Sequence, residues 1–391
     1  MLFIPLSCCS YTHSTMVRIT VWQNQWHFLG AFSVISFIVW NLSWNFVVSA
    51  AATGCFSLLL AVFYVKIREI FFIEKKLLDN LESKAVLVTG CDSGFGILFA
   101  RRLADLGLYV YATVMFPEKE NALELAQHKN IEIVKLDVTK QDNIDELVRF
   151  ISEDLKKNGR QFWCLVNNAG VALYSDLEVA SMDHFTSTLD VNTVGPLRMC
   201  KSFLPLLRAG GQGRIVNIAS QAGRFTVPFT TAYSMSKAAL IAFSDGLRRE
   251  LTPWNISVIT IEPYFYQAAI SLQYTINLIV GNYLRMWDSA PEEVKEALGE
   301  RFRDARIQGL MEFCVKNQRT EDKLYEVIDD LEHAVASVRP QISYNPSTHA
   351  KLVTMLLNCL PLEVQDFLLT PVIEEKPRNI IISKMESRQR S

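Results

Sequence analysis

The sequence predicts a doubly wound α/β domain with a parallel sheet, placed behind N-terminal transmembrane helices and ahead of a helical C-terminal extension. Three observations carry this. Six short apolar runs alternate with stretches of helical period between residues 85 and 261. A stretch from Ile19 to Val65 holds no Asp, Glu, Lys or Arg. Past residue 265 the alternation stops and only helical patterns follow.

The uncharged stretch is the first element. At about 1.5 Å per helical residue it is long enough to cross a ~30 Å hydrocarbon core twice. The stronger span is Phe46–Val65 and a shorter one lies near Phe28–Trp40. Residues 41–45 turn between them, with their tryptophan at an interface. The run is too long, and begins too late, for a cleaved signal peptide. Residues 1–40 contain one arginine, Arg18, unlike a mitochondrial transit peptide. Lys66, Arg68, Lys75 and Lys76 follow the second span, which by the positive-inside rule puts the remaining chain in the cytosol. This reading gives an N-terminal tail (1–18), an anchor of one or two spans (19–65) and a charged juxtamembrane linker (66–82).

The apolar runs come next: Ala85–Thr89, Tyr109–Thr113, Ile131–Leu136, Phe162–Asn167, Arg214–Ala219 and Ile256–Ile261. Short continuous apolar strands separated by helices imply a parallel sheet covered on both faces. Residues 83–265 therefore read as a Rossmann fold. In the extension, 266–373, Pro291–Leu310 and Thr320–Val338 read as amphipathic helices. The leucine-rich stretch 351–369 reads as core or as a homodimer surface rather than a membrane-dipping lid. Residues 374–391 form a polar tail.

Composition narrows the function. The 391 residues are half hydrophobic and the formal net charge is −2. With no basic block, nucleic-acid binding is not expected. The eight cysteines are scattered and read as buried thiols in a reducing compartment, and the six histidines show no metal spacing.

Three motifs carry chemistry. The first, Thr89-Gly90-Cys91-Asp92-Ser93-Gly94-Phe95-Gly96, follows a strand and opens a helix. Gly90 permits the tight turn, Gly94 admits a pyrophosphate close to backbone, and Gly96 allows close helix–strand packing. The helix N-terminus then faces the phosphates. Asp92 would repel a 2′-phosphate, and no Lys or Arg ends the second strand at 112–115, so NAD is expected over NADP. The alternative for Asp92 is a cap on the following helix.

The second motif is Asn167-Asn168-Ala169-Gly170, placed where it can line the cofactor crevice. The third is Tyr233-Ser234-Met235-Ser236-Lys237, with Tyr and Lys on one helical face. A free tyrosine, with a pKa of about 10, is a poor base at neutral pH. A nearby ammonium and an oxidised nicotinamide favour the phenolate, which makes Tyr233 a general acid/base and Lys237 its tuner. Ser220, just after the fifth strand, can hold the reacting oxygen.

With these motifs in order, the stretch from about Lys84 to Leu369 resembles the short-chain dehydrogenase/reductase family. Within it the similarity is to the branch holding D-β-hydroxybutyrate dehydrogenase, type 2 11β-hydroxysteroid dehydrogenase and the microsomal retinol dehydrogenases. Gly-Cys-Asp-Ser-Gly-Phe-Gly at 90–96, Lys-Ser-Phe-Leu-Pro-Leu-Leu at 201–207 and Ala-Phe-Ser-Asp-Gly-Leu-Arg at 242–248 carry it. The resemblance implies a catalytic set of Ser220, Tyr233, Lys237 and Asn192, with Asn192 in a water relay behind Lys237. It also implies that Asp137 and Val138 meet the adenine, that Asn168, Ala169, Gly170 and Pro263 line the cofactor, and that Lys237 also holds the nicotinamide ribose. Asn192 has the alternative of a helix kink bonded to its own backbone. The microsomal members imply the endoplasmic reticulum membrane, the alternative being a mitochondrial one.

One departure stands out. Where the family has Pro-Gly, this chain has Pro263-Tyr264, and no Thr follows at the usual place. Tyrosine cannot cheaply take φ > 0, so cofactor geometry there is in question. The function expected is NAD-dependent interconversion of an alcohol and its carbonyl on a lipophilic substrate, steroid or retinoid. The apolar residues after Pro263 (Tyr264, Phe265, Tyr266, Leu272, Tyr274, Ile276, Leu278) point the same way. One rival is a D-3-hydroxybutyrate dehydrogenase, which needs a cation or donor such as Arg224 or Gln267 for the carboxylate. The other is a membrane-anchored, non-catalytic dinucleotide-binding scaffold, suggested by Tyr264.

Overall fold

The structure is a computed structural model that describes residues 29–38, 40, 46–71, 76–266, 272–317 and 320–369. The N-terminal tail, the 41–45 turn, Gln267, Ala268 and the polar tail lie outside the described residues, as does part of the 66–82 linker. The chain divides into two units, Met1–Lys75 and Lys76–Ser391.

In the first unit, residues 29–38 are helical and a longer helix, α1 (Phe46–Phe71), follows. Thr53, Ser57 and Ala61, four residues apart on one face of α1, are buried, while Phe56, Leu58, Leu59, Val62 and Phe63 are exposed. Large apolar groups thus point outward and small ones inward. Among the described residues no helix is long and apolar enough to cross a membrane.

The second unit is built on a sheet of seven parallel strands in the order β3-β2-β1-β4-β5-β6-β7. The strands are β1 (Lys84–Val88), β2 (Tyr109–Val114), β3 (Ile131–Lys135), β4 (Gln161–Asn167), β5 (Gly213–Ile218), β6 (Ile256–Ile261) and β7 (Ser343–Tyr344). The six expected strands are all present. β7 is too short to show in the sequence. β1 and β5 are buried throughout because helices cover both faces, and alternation sorts their side chains. Val86 and Val88 join one core with Phe99 and Leu103 of α2 (Phe95–Asp105). Ala85 and Leu87 join the other with Ile144 and Leu147 of α4 (Gln141–Asn158). α3 (Glu120–Leu125) links β2 to β3. The order reverses between β1 and β4, which pair through Val88 and Val166. This is where an open α/β sheet holds its ligand.

α5 (Met182–Leu189) runs through a π-helical turn, Asp190–Val194, into α6 (Gly195–Ala209). α7 (Thr231–Glu250) carries the Tyr–x–x–x–Lys motif. In the extension, α8 (Leu272–Ser289) has no counterpart in the sequence reading. The expected helix at 291–310 is two, α9 (Glu292–Leu298) and α10 (Glu300–Asn317). They break at Gly299, whose φ is 80°. α11 (Tyr325–Ala336) falls inside the expected 320–338.

The leucine-rich stretch is α12 (Thr348–Cys359) and α13 (Leu362–Leu369), parted at Pro361. As a core element it is overturned in part: Thr354 and Leu357 point inward, but Leu352, Met355, Leu356 and Phe367 are exposed. The thiol expectation needs a similar correction. Cys91, Cys164, Cys200 and Cys314 are buried, and Cys55 and Cys359 are exposed.

Candidate active site

The turn after β1 depends on its glycines. Gly90 and Gly94 have φ of 70° and 63°, which side chains rarely adopt. A Cβ on Gly96 would stand 2.2 Å from the Gly90 carbonyl and 2.8 Å from Asn168 Nδ2. Gly96 is therefore the point where α2 presses on the turn. The N-terminus of α2 has no side-chain cap, so its first N–H groups remain for an anion. This cradle fits a dinucleotide pyrophosphate. Phe95 is half-buried beside it and Ser93 is exposed.

Asp92 does not cap α2. Its carboxylate accepts from Met115 N (2.9 Å to Oδ1, 3.0 Å to Oδ2) and from Phe116 N (3.2 Å), tying the glycine turn to the end of β2. In the same loop Lys119 places its ammonium 4.2 Å from the centre of the Phe116 ring. This cation lies just past the strand end searched in the sequence.

β4 contributes the facing wall. Asn168 Nδ2 donates to the carbonyls of Thr89 (2.8 Å) and Gly90 (2.9 Å). Thr89 Oγ1 accepts from the backbone N–H groups of Asn168 and Ala169, both at 3.0 Å. The sequence motif is thus a strap that locks β1 to β4. Thr89, which opens the first motif but had no role in the sequence reading, is its second half. Asp137 Oδ1 accepts from Thr139 N (2.9 Å) and Oγ1 (2.7 Å), which fixes the loop after β3. Val138 is buried against Gly195, where an added Cβ would meet its Cγ2 at 2.9 Å.

Ser220, Tyr233 and Lys237 come together at the ends of β5 and β6. Ser220 Oγ accepts from Ala222 N (3.1 Å) and donates to the Pro263 carbonyl (3.3 Å). Lys237 Nζ, buried, donates to the Ile218 carbonyl (2.7 Å) and lies 5.6 Å from the centre of the Tyr233 ring. A Cβ on Gly170 would meet Lys237 Nζ at 3.6 Å and Asn192 Oδ1 at 3.3 Å, so a small residue keeps this corner open. Asn192 is not bonded to its own helix. Its Nδ2 donates to Val171 O (2.8 Å) and Ser236 Oγ (2.9 Å), and its Oδ1 accepts from Val171 N (2.8 Å). The kink is the π-helical turn itself, a feature frequent at functional sites.

The electrostatics differ from the sequence expectation. Burial pushes the Tyr233 phenol up, and the hydrogen bond with Ser220 pulls it down. Burial also pushes Lys237 down to about 8. An ammonium desolvated this far holds its own charge weakly. The downward pull on the tyrosine is the hydrogen bond with Ser220.

The strain expected at Tyr264 is absent, and of the two carboxylate partners considered only Arg224 lies among the described residues. The non-glycine described residues with positive φ are Asn80, Phe229, Asn255 and Ser347. Tyr264 is not among them, so tyrosine sits there without backbone strain, half-buried against the core. Arg224 is occupied by Glu262, a buried carboxylate next to Pro263 that the sequence reading did not single out.

A glycine turn at the switch point, facing a Ser–Tyr–Lys set in which Ser220 and Lys237 are buried and Tyr233 is half-buried, is the arrangement of a dinucleotide-dependent oxidoreductase. Comparison with known proteins agrees. The family profile described as short chain dehydrogenase matches residues 84–275. Retinol dehydrogenase 7 of Rattus norvegicus is 37% identical over 296 residues, 75% of this chain and 90% of that protein. Short-chain dehydrogenase/reductase family 9C member 7 of Mus musculus is 34% identical over 295 residues, 75% of this chain and 91% of that one. Mitochondrial D-beta-hydroxybutyrate dehydrogenase of Rattus norvegicus is 35% identical over 272 residues, 68% and 78% of the two chains. A solved short-chain dehydrogenase from Streptomyces avermitilis superposes with a TM-score of 0.56 at 25% identity, covering 73% of this chain and 96% of that one. The chain belongs to the short-chain dehydrogenase/reductase family and is an oxidoreductase of CH–OH groups with NAD(P) as acceptor.

Proposed function

We propose that this chain interconverts a lipophilic alcohol, of the retinoid or steroid class, and its carbonyl, using NAD. One observation carries the substrate class. Burial, with Tyr233 adding to it, pushes the Tyr174 phenol up, and Tyr174 belongs to an apolar cluster with Ile276, Ile279, Tyr283 and Leu310 of the C-terminal extension. The neighbourhood of the acid/base phenol is thus apolar. The relatives' names divide between retinol and hydroxybutyrate, and Arg224 separates the two readings. Its charge is neutralised by Glu262, which leaves it a poor partner for a substrate carboxylate.

The bound dinucleotide supplies the hydride acceptor. Tyr233 exchanges the hydroxyl proton, Ser220 holds the reacting oxygen, and Lys237 presents its ammonium at the corner kept open by Gly170. Asn192 fixes Val171 and Ser236 around that corner. The glycine turn and the α2 N-terminus hold the pyrophosphate, with Asp137 and Val138 at the adenine end. Asp92, held by two backbone N–H groups, sets its carboxylate at the end of β2, which favours NAD over NADP.

The anchor reading rests on α1, whose large apolar side chains face outward and whose small ones face inward, the arrangement of a helix packed in lipid. The cations after the span support a cytosolic catalytic unit by the positive-inside rule, with the endoplasmic reticulum as the proposed membrane. The deciding experiment follows the absorbance of the reduced dinucleotide with NAD or NADP and a panel of retinol, steroids and 3-hydroxybutyrate. Turnover of 3-hydroxybutyrate alone, or preference for NADP, would overturn the reading. Release of the chain by alkaline carbonate would overturn the anchor.

A further inference from the structure

Phe229, four residues before Tyr233, has φ of 71°. For a bulky side chain this left-handed conformation is an outlier, while glycine would adopt it freely. Two of the other three such residues, Asn80 and Asn255, are of the type that tolerates it. Strain of this kind gathers where a site over-determines its residues.

The ring is held from several sides. The Arg306 guanidinium lies 4.7 Å from its centre and equally far from Phe302 on the other side. Arg306 Nη2 pairs with Asp176 Oδ1 at 3.0 Å, and Tyr283 donates to Asp176 Oδ2 at 3.3 Å. The Phe229 carbonyl accepts from Ser175 N at 2.9 Å. The half-buried ring packs into the cluster that includes Tyr174 and Phe265. The loop from Ser220 to Tyr233 is thereby joined to the apolar cluster of the C-terminal extension through one aromatic ring.

Resting on the function proposed above, we propose that Phe229 is a specificity-determining residue. Its ring forms the wall against which the apolar body of a bulky alcohol packs, with the carbinol directed at Tyr233. Arg306 is a positioning residue that holds this wall through Asp176.

The test uses the full chain in detergent, with NAD and three alcohols: retinol, a 3-hydroxysteroid and the small control cyclohexanol. Phe229→Gly should raise KM for the bulky alcohols by about 10–100-fold, the loss of one buried aromatic contact. Its kcat, its KM for cyclohexanol and its NAD affinity should stay within about threefold, a factor worth well under 1 kcal/mol. Arg306→Met should shift KM in the same direction by less. If Phe229→Gly melts early, Phe229→Leu is read instead, and the same selective rise in KM is expected. Unchanged KM for the bulky alcohols, or equal changes for bulky and small ones, would overturn the proposal and leave the lipophilic-alcohol reading standing. A wild-type chain that oxidises only 3-hydroxybutyrate would overturn both.

Discussion

The Arg224 guanidinium grips Glu262 at two points, Nε to Oε2 at 2.8 Å and Nη2 to Oε1 at 2.6 Å. Glu262 is 1% exposed, and its Oε1 also accepts from Thr260 Oγ1 and Ser343 Oγ, each at 3.1 Å. The loop after Ser220, the end of β6 and the start of β7 meet on this one carboxylate.

Removing one partner should be costly. Arg224→Leu strands a buried charge, and a loss of about 3–5 kcal/mol is expected, against a smaller loss for the double variant Arg224→Leu/Glu262→Leu. Urea denaturation of the four forms measures the coupling. Equal losses in the single and double variants would contradict the pairing.

Tyr233→Phe should lower kcat by about 10²–10⁴-fold or more while leaving dinucleotide affinity nearly intact. Lys237→Ala should weaken both, because Lys237 stands at the open corner beside Gly170. Stopped-flow binding beside steady-state turnover separates the two effects. Substantial turnover by Tyr233→Phe would refute the mechanism.

Gly96→Ala introduces a methyl group 2.2 Å from a backbone oxygen that the Asn168 strap holds in place. A destabilisation of about 1–3 kcal/mol is expected from such overpacking, with loss of dinucleotide binding. Calorimetry with and without NAD reads both. Normal binding by the variant would show that the turn can give way.

Asp330 supplies a pH dependence. Burial, reinforced by Asp329 and Glu326 and opposed by Lys351, pushes its carboxyl up to about 7. A carboxyl raised in the folded state contributes stability that is fully present below its unfolded pKa near 4 and is lost as pH rises through about 7. Asp330→Asn should therefore raise the melting temperature at pH 8 by about 2–4 °C, the shift given by roughly 1 kcal/mol in a domain of this size. The gain should shrink as pH falls toward 4. A gain independent of pH would assign the effect to another cause.

The sheet was legible because a strand buried on both faces must be continuously apolar, as β1 and β4 are. The glycine turn was legible because Gly90, Gly94 and Gly96 each answer a local steric demand. What escaped was non-local. Arg224 and Glu262 lie far apart in sequence, and nothing in either segment announces their pairing. Tyr174 reads as an ordinary loop residue until folding brings it beside Tyr233. The backbone angle of Phe229 is invisible in a sequence, where phenylalanine argues against a left-handed turn. The doubt over Tyr264 ran the other way, since the sequence implied strain that the backbone does not carry.

Residues 76–78 carry a last consequence. Leu78 N donates to Ala336 O and Val338 N to Lys76 O, both at 2.8 Å, around the bridge between Leu77 and Ser337. The segment entering the catalytic unit is thus clasped to the segment leaving α11, ahead of β1. A protease cutting before Lys76 would shed the enzyme with this clasp intact and the fold closed. A cut after Leu78 would leave the same core with an open seam along residues 336–338. Whether a shed form survives would therefore depend on a difference of three residues in where it begins.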